Sequence, residues 1–489
     1  MSSLRTLNHR DVEPKNTFDK FFKISQRGSS LGAELRGGLA TFLAMSYIIV
    51  LNPLVLSGQD TAGDTLGISA VAASTALIAA VITILMGLWA NHPFGLAAGL
   101  GVNALLAITI ATTPDLTWPE AMGLVVIAGV VMVLLVLTGF REAVFRAVPE
   151  SIKTGIVVGI GFFIALIGLV NAGFVRRLPD AAGTTVPMGL GIDGELSGWP
   201  ILVFIIGFFL TAILVVRRVP GAILIGIVGA TILANILEAV FNIGPSVDDQ
   251  GNVNPEGWSL VAPSMPDWTV PDLSLLGNFS FGAFSSIGSI AAALLVFAIL
   301  LSVFFDAMGT SVGLAREAGN VDKDGTIPRL DRVLLVDALG VTAGGAGSAS
   351  STQIFVESGT GIGEGARTGF ASVVTGLLFL AAMFLTPLIY LVPFEAVAPA
   401  LVVVGFMMVS QVSQIDWSDM GASLPAFLTF ALMPFTYSIV NGIGAGILAY
   451  AIIRTGQGRV REVHPLLWVV AAAFVLFFGM GVFENLVGI

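Results

Sequence analysis

The chain contains no cysteine among its 489 residues. Disulfides, thiolate metal sites and cysteine nucleophiles are therefore excluded. Histidine is nearly as scarce, with only His9, His92 and His464. None of the three lies inside an apolar run, so the sequence predicts no metal site and no embedded histidine relay. Charge is the third shortage. Charged residues make up 11% of the chain, as 22 Lys/Arg and 32 Asp/Glu, where a soluble domain carries about 25%. Such a chain is neither a soluble globular enzyme nor a disordered segment. Its net charge of −10 opposes nucleic-acid binding. What fills the space is apolar: 55% hydrophobic residues and a mean hydropathy of +0.93. Helical spans of roughly 20 residues then number roughly 13–15. The 58 glycines cluster in and around these runs, where small residues let helices approach or break.

Residues 1–36 are polar and carry seven basic against four acidic side chains. No short apolar core follows a basic start, so this is not read as a cleaved signal peptide. The basic excess places this end in the cytoplasm. Seven apolar runs follow, 37–56, 69–90, 94–112, 120–140, 149–172, 200–216 and 221–241. A polar break at 242–276 has no Lys or Arg, which suits the outer face. Seven more runs follow it, 284–308, 332–347, 357–369, 370–392, 396–412, 423–453 and 464–487. An odd number in each half predicts an all-α polytopic membrane protein of 14 segments in two inverted repeats. Val148-Pro149 and Val392-Pro393 punctuate matching positions of the halves. Two places oppose the charge rule. Arg176/Arg177 fall outside, and so do Arg454, Arg459 and Arg461 if 423–453 crosses once. A broken hairpin around Asn441–Gly446 is the alternative for that run.

The third and tenth runs are abnormal. Gly95–Asn103 and Ser348–Ser358 are rich in Gly, Ser and Thr where a leucine-rich helix is due. Paired interrupted segments in two halves point to a transporter binding site. Close packing and ordinary loops are the plainer readings of each segment. The few embedded acids converge on the same region. A mid-membrane carboxylate costs about 2.5 kcal/mol or more and so needs a partner or a task. Asp306 ends the apolar stretch 292–305. Glu357 follows Ile354–Val356 and precedes a candidate half-helix, where an acid can also be a simple cap. Asp337 opens the ninth run, in reach of the Ser/Thr strip. Glu238 is read as interfacial.

These residues resemble a known family. Gly37–Pro53 is similar to the first helix of azaguanine-type purine permeases, in the nucleobase–cation symporter-2 family. Asp306–Gly313 resembles their eighth-helix motif, and Asn320–Gly325 the loop after it. Phe355–Ser358 with Gly363–Gly369 resembles the tenth-segment signature, and Gly101–Asn103 the third. The similarity covers nearly the whole chain, from about Phe21. It implies the uracil-permease-like fold, with short strands in segments 3 and 10. It also implies a core domain (37–140 and 284–392), a gate domain (141–241 and 393–489), an outer loop (242–283) and a cytoplasmic N-terminal segment (1–36).

The resemblance further implies a secondary active purine importer of the plasma membrane, coupled to protons, with no cofactor and no enzymatic activity. Core would rock against gate. Substrate would be bound by Asp306, Glu357, Phe355, Val356, Ser358 and Asn103. Asp306, Glu357 or Asp337 would take the proton. Membrane lipid and a second copy docked through the gate domain are the expected partners. Departures from the family pattern are Val303 in place of an additional Asp, Ala98 in place of a Pro, and Ser350–Ile354 in place of a Thr-rich tract. They leave the choice of base open. Alternatives are another nucleobase, or a sulfate- or bicarbonate-type anion on the same fold. A channel or membrane-embedded enzyme is a further alternative. An anion carrier calls for a cationic pocket, and Arg367 is the only candidate near the site.

Overall fold

The computed structural model describes residues 16–138, 147–177, 188–192, 194–219, 221–247, 253–259, 262–264, 270–320 and 327–487. The family-like loop expected at Asn320–Gly325 lies outside these residues from position 321 on. Among the described residues, eight helical stretches are long and apolar enough to cross a bilayer.

A short helix, α1 (Thr17–Phe22), precedes α2 (Leu31–Met45) and α3 (Ile48–Val55), which together make the first crossing. α4 (Ile68–Leu85) runs on through a π turn at Met86–Ala90. β1 (Leu96–Ala98) leads into α5 (Leu100–Thr112), and α6 (Trp118–Leu137) follows. Next come α7 (Glu150–Asn171), the hairpin β2 (Val175–Arg177) and β3 (Met188–Leu190), α8 (Trp199–Val216) and α9 (Ala222–Phe241). The second half comprises α10 (Ala283–Ser286), α11 (Ser289–Glu317), α12 (Leu330–Ala346), β4 (Thr352–Ile354), α13 (Ser358–Gly363) and α14 (Gly369–Ala382). It ends with α15 (Phe394–Val409), α16 (Met420–Phe435), α17 (Ile439–Gly456) and α18 (Pro465–Val487).

The sequence sets these boundaries locally. Ser30 caps α2 by accepting from the Ala33 amide at 3.2 Å. Thr117 and Glu120 form a reciprocal capping box at the start of α6, with Pro119 in its first turn. Pro149 and Pro393, in extended conformation, stand immediately before α7 and α15. The two prolines punctuate the same position of the two inverted halves.

The helices pack in two groups. One holds α2, α3, α4, α5, α6, α11, α12, α13 and α14 around the two short strands. The other holds α7, α8, α9, α15, α16 and α17. They meet where α7 touches α5 and α11, and where α15 touches α3. Within the second group α7 and α15 approach through facing glycines. A Cβ on Gly161 would lie 2.7 Å from the Gly405 carbonyl, and one on Gly405 would lie 2.5 Å from the Gly161 carbonyl. No other residue fits there, which is the small-residue packing of bilayer helices. Phe209, Ile213, Val216, Ile232 and Ile236 of α8 and α9 stay exposed, as a lipid-facing surface requires.

The apolar run 423–453 folds as two helices, α16 and α17, packed on each other. The break falls at Thr436–Ser438, earlier than the Asn441–Gly446 expected from the glycines. Those glycines instead serve packing: Gly442 and Gly446 lie against Thr429 of α16. Arg454 near the end of α17 pairs with Asp419 at the start of α16 at 2.6 Å, and with Glu462 at 3.5 Å. The hairpin thus returns Arg454, Arg459 and Arg461 to the membrane face where it began. This removes one of the two conflicts with the charge rule. Arg176 remains on the opposite face, where its guanidinium donates to the Pro255 carbonyl at 2.9 Å.

Glu238, expected at an interface, stands near the end of α9 and accepts from the indole N–H of buried Trp258 at 2.7 Å. It anchors the described part of the long loop.

Candidate functional site

The two interrupted segments meet at the middle of the first helical group. β1 pairs antiparallel with β4, with Leu96 opposite Ile354 and Ala98 opposite Thr352. All six residues are buried. Unwound backbone at this depth must find partners inside the protein. The Phe355 amide donates to the Gly95 carbonyl at 2.9 Å, and the Gly99 amide donates to the Ser351 carbonyl at 2.8 Å. The Gly95 amide donates to Ser358 Oγ at 2.9 Å, whose hydroxyl donates to the Phe355 carbonyl at 2.6 Å. The Ser358 amide also donates to the Phe355 carbonyl, at 3.1 Å. Ser358 therefore uses both its amide and its hydroxyl to hold the strand–helix junction.

Glu357 stands at that junction, immediately before α13. Its carboxylate does not cap the helix. It accepts instead from the phenol of Tyr47, at 2.8 Å to Oε1. Tyr47 lies between α2 and α3 and is 1% exposed. Phe355 is buried, with its ring centroid 6.3 Å from that of Tyr47 and tilted by 45°. Val356, the next residue, is 56% exposed. Tyr47, Phe355 and Glu357 thus form one contiguous cluster.

Asn103 lies in the first turn of α5 and is fully buried. Both polar atoms of its side chain lack a hydrogen-bond partner among the described residues. Buried amides are ordinarily satisfied, so this one has unused donors and acceptors. Two residues earlier, a Cβ on Gly101 would lie 3.5 Å from Ser302 Oγ of α11 and 3.3 Å from Ile160 of α7. The start of α5 therefore sits where the two helical groups meet.

Asp306 falls on α11, and its side chain lies outside the described residues. Its backbone is one helical turn beyond Ser302, a rise of about 6 Å. α11 also packs on β4 and α13, so it connects the Asn103 and Glu357 ends of the site. Val303, on the same helix, is fully buried. Asp337 is fully buried on α12, one turn before Gly340, whose Cβ position would lie 3.3 Å from the Thr352 carbonyl. It therefore lies one turn from a residue packed on β4. Ser350 and Ser351 keep hydroxyls without partners among the described residues.

Sequence reasoning did not single out Tyr47. The signal was present: a phenol deep in an apolar run needs a polar partner, and the chain has only four tyrosines.

The Permease family pattern (Xan_ur_permease) matches residues 32–445. The chain is 38% identical over 460 residues to the putative permease MJ0326 of Methanocaldococcus jannaschii, covering 94% of this chain and 98% of that one. It is 35% identical to the adenine permease AdeP of Escherichia coli, covering 94% and 95%. It is also 35% identical to the guanine/hypoxanthine permease PbuG of Bacillus subtilis, covering 94% and 98%. Among solved structures, the transmembrane domain of a cyanobacterium bicarbonate transporter, BicA, superposes with a TM-score of 0.56 at 16% identity, over 85% of this chain and 97% of that one. SLC26A9 superposes with a TM-score of 0.59 at 12% identity, over 91% and 67%. These two share the inverted-repeat fold.

Proposed function

The chain belongs to the Permease family, as a nucleobase–cation symporter-2 member, and we propose that it imports purine nucleobases across the plasma membrane by proton symport. It is a multi-pass membrane transporter and not an enzyme. The observation that carries the substrate reading is the Tyr47–Glu357 hydrogen bond beside Phe355. It aims a carboxylate from a rigid junction next to aromatic surface.

A purine is flat and apolar on its faces, with N–H donors and ring acceptors on its edges. Glu357 accepts two edge N–H groups through charge-assisted bonds. Asn103 offers an amide that both gives and accepts. Phe355 supplies ring contact, and the Val356 and Ser358 backbone shapes the entrance. Asp306 closes the site from α11. The relatives that carry adenine, guanine and hypoxanthine support a purine over other bases. An anion is disfavoured because the site offers carboxylates and, among the described residues, no embedded Lys or Arg beyond Arg367.

In this reading, protonation of Glu357, Asp306 or Asp337 neutralises the loaded site and couples it to the proton gradient. The first helical group acts as core and the second as gate, rocking against each other to alternate access. The face carrying Arg27, Arg454 and Arg461 is cytoplasmic, and a second copy docks through the gate. The test is uptake of radiolabelled adenine, guanine and hypoxanthine into proteoliposomes under an imposed proton gradient. Accumulation that a protonophore collapses is expected. Accumulation unaffected by the protonophore contradicts the coupling, and no purine uptake contradicts the substrate.

A further inference from the structure

On the face opposite Arg27, a cavity of about 450 Å³ opens inside the second helical group. Asn171, Arg176, Ser197, Ser246, Glu256, Ser259 and Glu395 supply its polar lining. Glu395 is 1% exposed. Its Oε1 accepts from the Ser259 amide at 2.8 Å. Its Oε2 has no partner among the described residues. A buried carboxylate oxygen left unpaired is costly, and Glu395 lines a space large enough for a small molecule. Arg176 and Glu256 line the same cavity, so two acids and one guanidinium share its wall.

A second cavity of about 250 Å³ shares Asn171 and Ser259 with the first. It lies between α5 and α3 of one helical group and α7 and α15 of the other. Ala104, Ala107, Ile108 and Ala111 of α5 line it. The helix that carries unsatisfied Asn103 in its first turn therefore forms one wall of this second cavity. Ser259 stands between the two spaces, with its amide on Glu395 and its hydroxyl donating to the Asn171 carbonyl at 2.9 Å.

We propose that the Glu395–Arg176 cavity is a second binding site, an outer waiting position for the transported heterocycle before it enters the cleft beside α5. Glu395 Oε2 accepts an N–H from the ring edge, and Arg176 and Asn171 contact ring or carbonyl acceptors. The ligand class is a neutral heterocycle with adjacent donors and acceptors. This rests on the proposed purine transport and adds a site to it. It also gives Arg176, a base on the otherwise acidic face, a task.

The experiment is transport of radiolabelled hypoxanthine and adenine in right-side-out and inside-out vesicles, comparing wild type with Glu395→Gln and Arg176→Gln. The glutamine carbonyl at position 395 keeps an acceptor for Ser259, so the loop stays anchored. The expected result is a KM raised about tenfold for entry from the Glu395 face, with KM from the opposite face unchanged. Glu395→Asp should recover part of the loss. Equal effects on both faces, or none on either, overturn the outer site while leaving purine transport standing. Wild-type vesicles that move no purine in either orientation overturn the transport reading and the outer site together.

Discussion

The phenol of Tyr47, at the join of α2 and α3, donates to the carboxylate of Glu357 at 2.8 Å, 310 positions further along the chain. This bond ties the first crossing of one inverted half to the interrupted segment of the other. It also fixes the rotamer of the acid on which the substrate reading depends.

Removing that donor should therefore weaken transport without unfolding the protein. A hydrogen bond to a charged group contributes about 1.5–3 kcal/mol, or roughly 10–150-fold. Tyr47→Phe keeps the ring contact with Phe355 and loses only the hydroxyl. Purine uptake should show a KM at least tenfold higher at normal membrane expression. An unchanged KM would mean that the bond does not position Glu357 for substrate.

Asn103 should behave differently from Asp337. Asn103→Ala removes an amide that has no partner among the described residues, so thermal stability should hold while purine affinity falls. Asp337→Asn acts on a fully buried side chain one turn from Gly340, which packs on β4, so stability and expression should fall along with transport. Thermal unfolding in detergent, with and without purine, separates the two patterns. The reverse pattern would exchange their roles.

His92 gives a pH prediction at the Arg27 face. It lies just past the π turn, fully buried, with Nε2 donating to the Pro328 carbonyl at 2.8 Å. Burial, reinforced by the nearby charge of Arg27, pushes its pKa down from 6.5 to about 3. The folded protein thus holds it neutral, while the unfolded chain protonates below pH 6.5. Stability is full above that value and declines as pH falls toward 3. The loss at pH 5 is about 2 kcal/mol. His92→Gln should flatten the fall in Tm between pH 7 and pH 5. An equal slope in the variant would place the sensitivity elsewhere.

The α16–α17 hairpin predicts where its loops label. The chain has no native cysteine, so single cysteines report cleanly. Ser418→Cys and Arg459→Cys should both react with an impermeant maleimide from the same side as Ser25→Cys. Labelling from opposite sides would mean that the run 423–453 crosses once. Arg454→Ala should lower Tm, because the buried guanidinium and Asp419 close the hairpin.

Much of this organisation was legible in the sequence. Asp306 stood out as an acid ending a long apolar stretch, and Glu357 as an acid between the short stretch Ile354–Val356 and a candidate half-helix. The glycine and serine tracts at 95–103 and 348–358 marked the two segments that pair as strands. Tyr47 was legible only in kind: a phenol in an apolar run calls for a polar partner, but the sequence does not say that the partner is Glu357. The hairpin break was misplaced because Asn441, Gly442 and Gly446 resemble helix breakers. In a bilayer the same residues permit close packing, and the turn fell instead after Pro434, with Tyr437 at φ 53°. Glu395 was hidden for a related reason. An acid two residues after a proline reads as a helix start, and only the cavity beside it gives it another meaning.

The central claim is that the Tyr47–Glu357 junction binds a purine. The most direct test is equilibrium binding of radiolabelled adenine, guanine and hypoxanthine to purified wild type and Glu357→Gln, at matched thermal stability. The account predicts saturable binding of at least one purine to wild type, with affinity reduced at least tenfold in the variant. Equal purine affinity in the two proteins would contradict it.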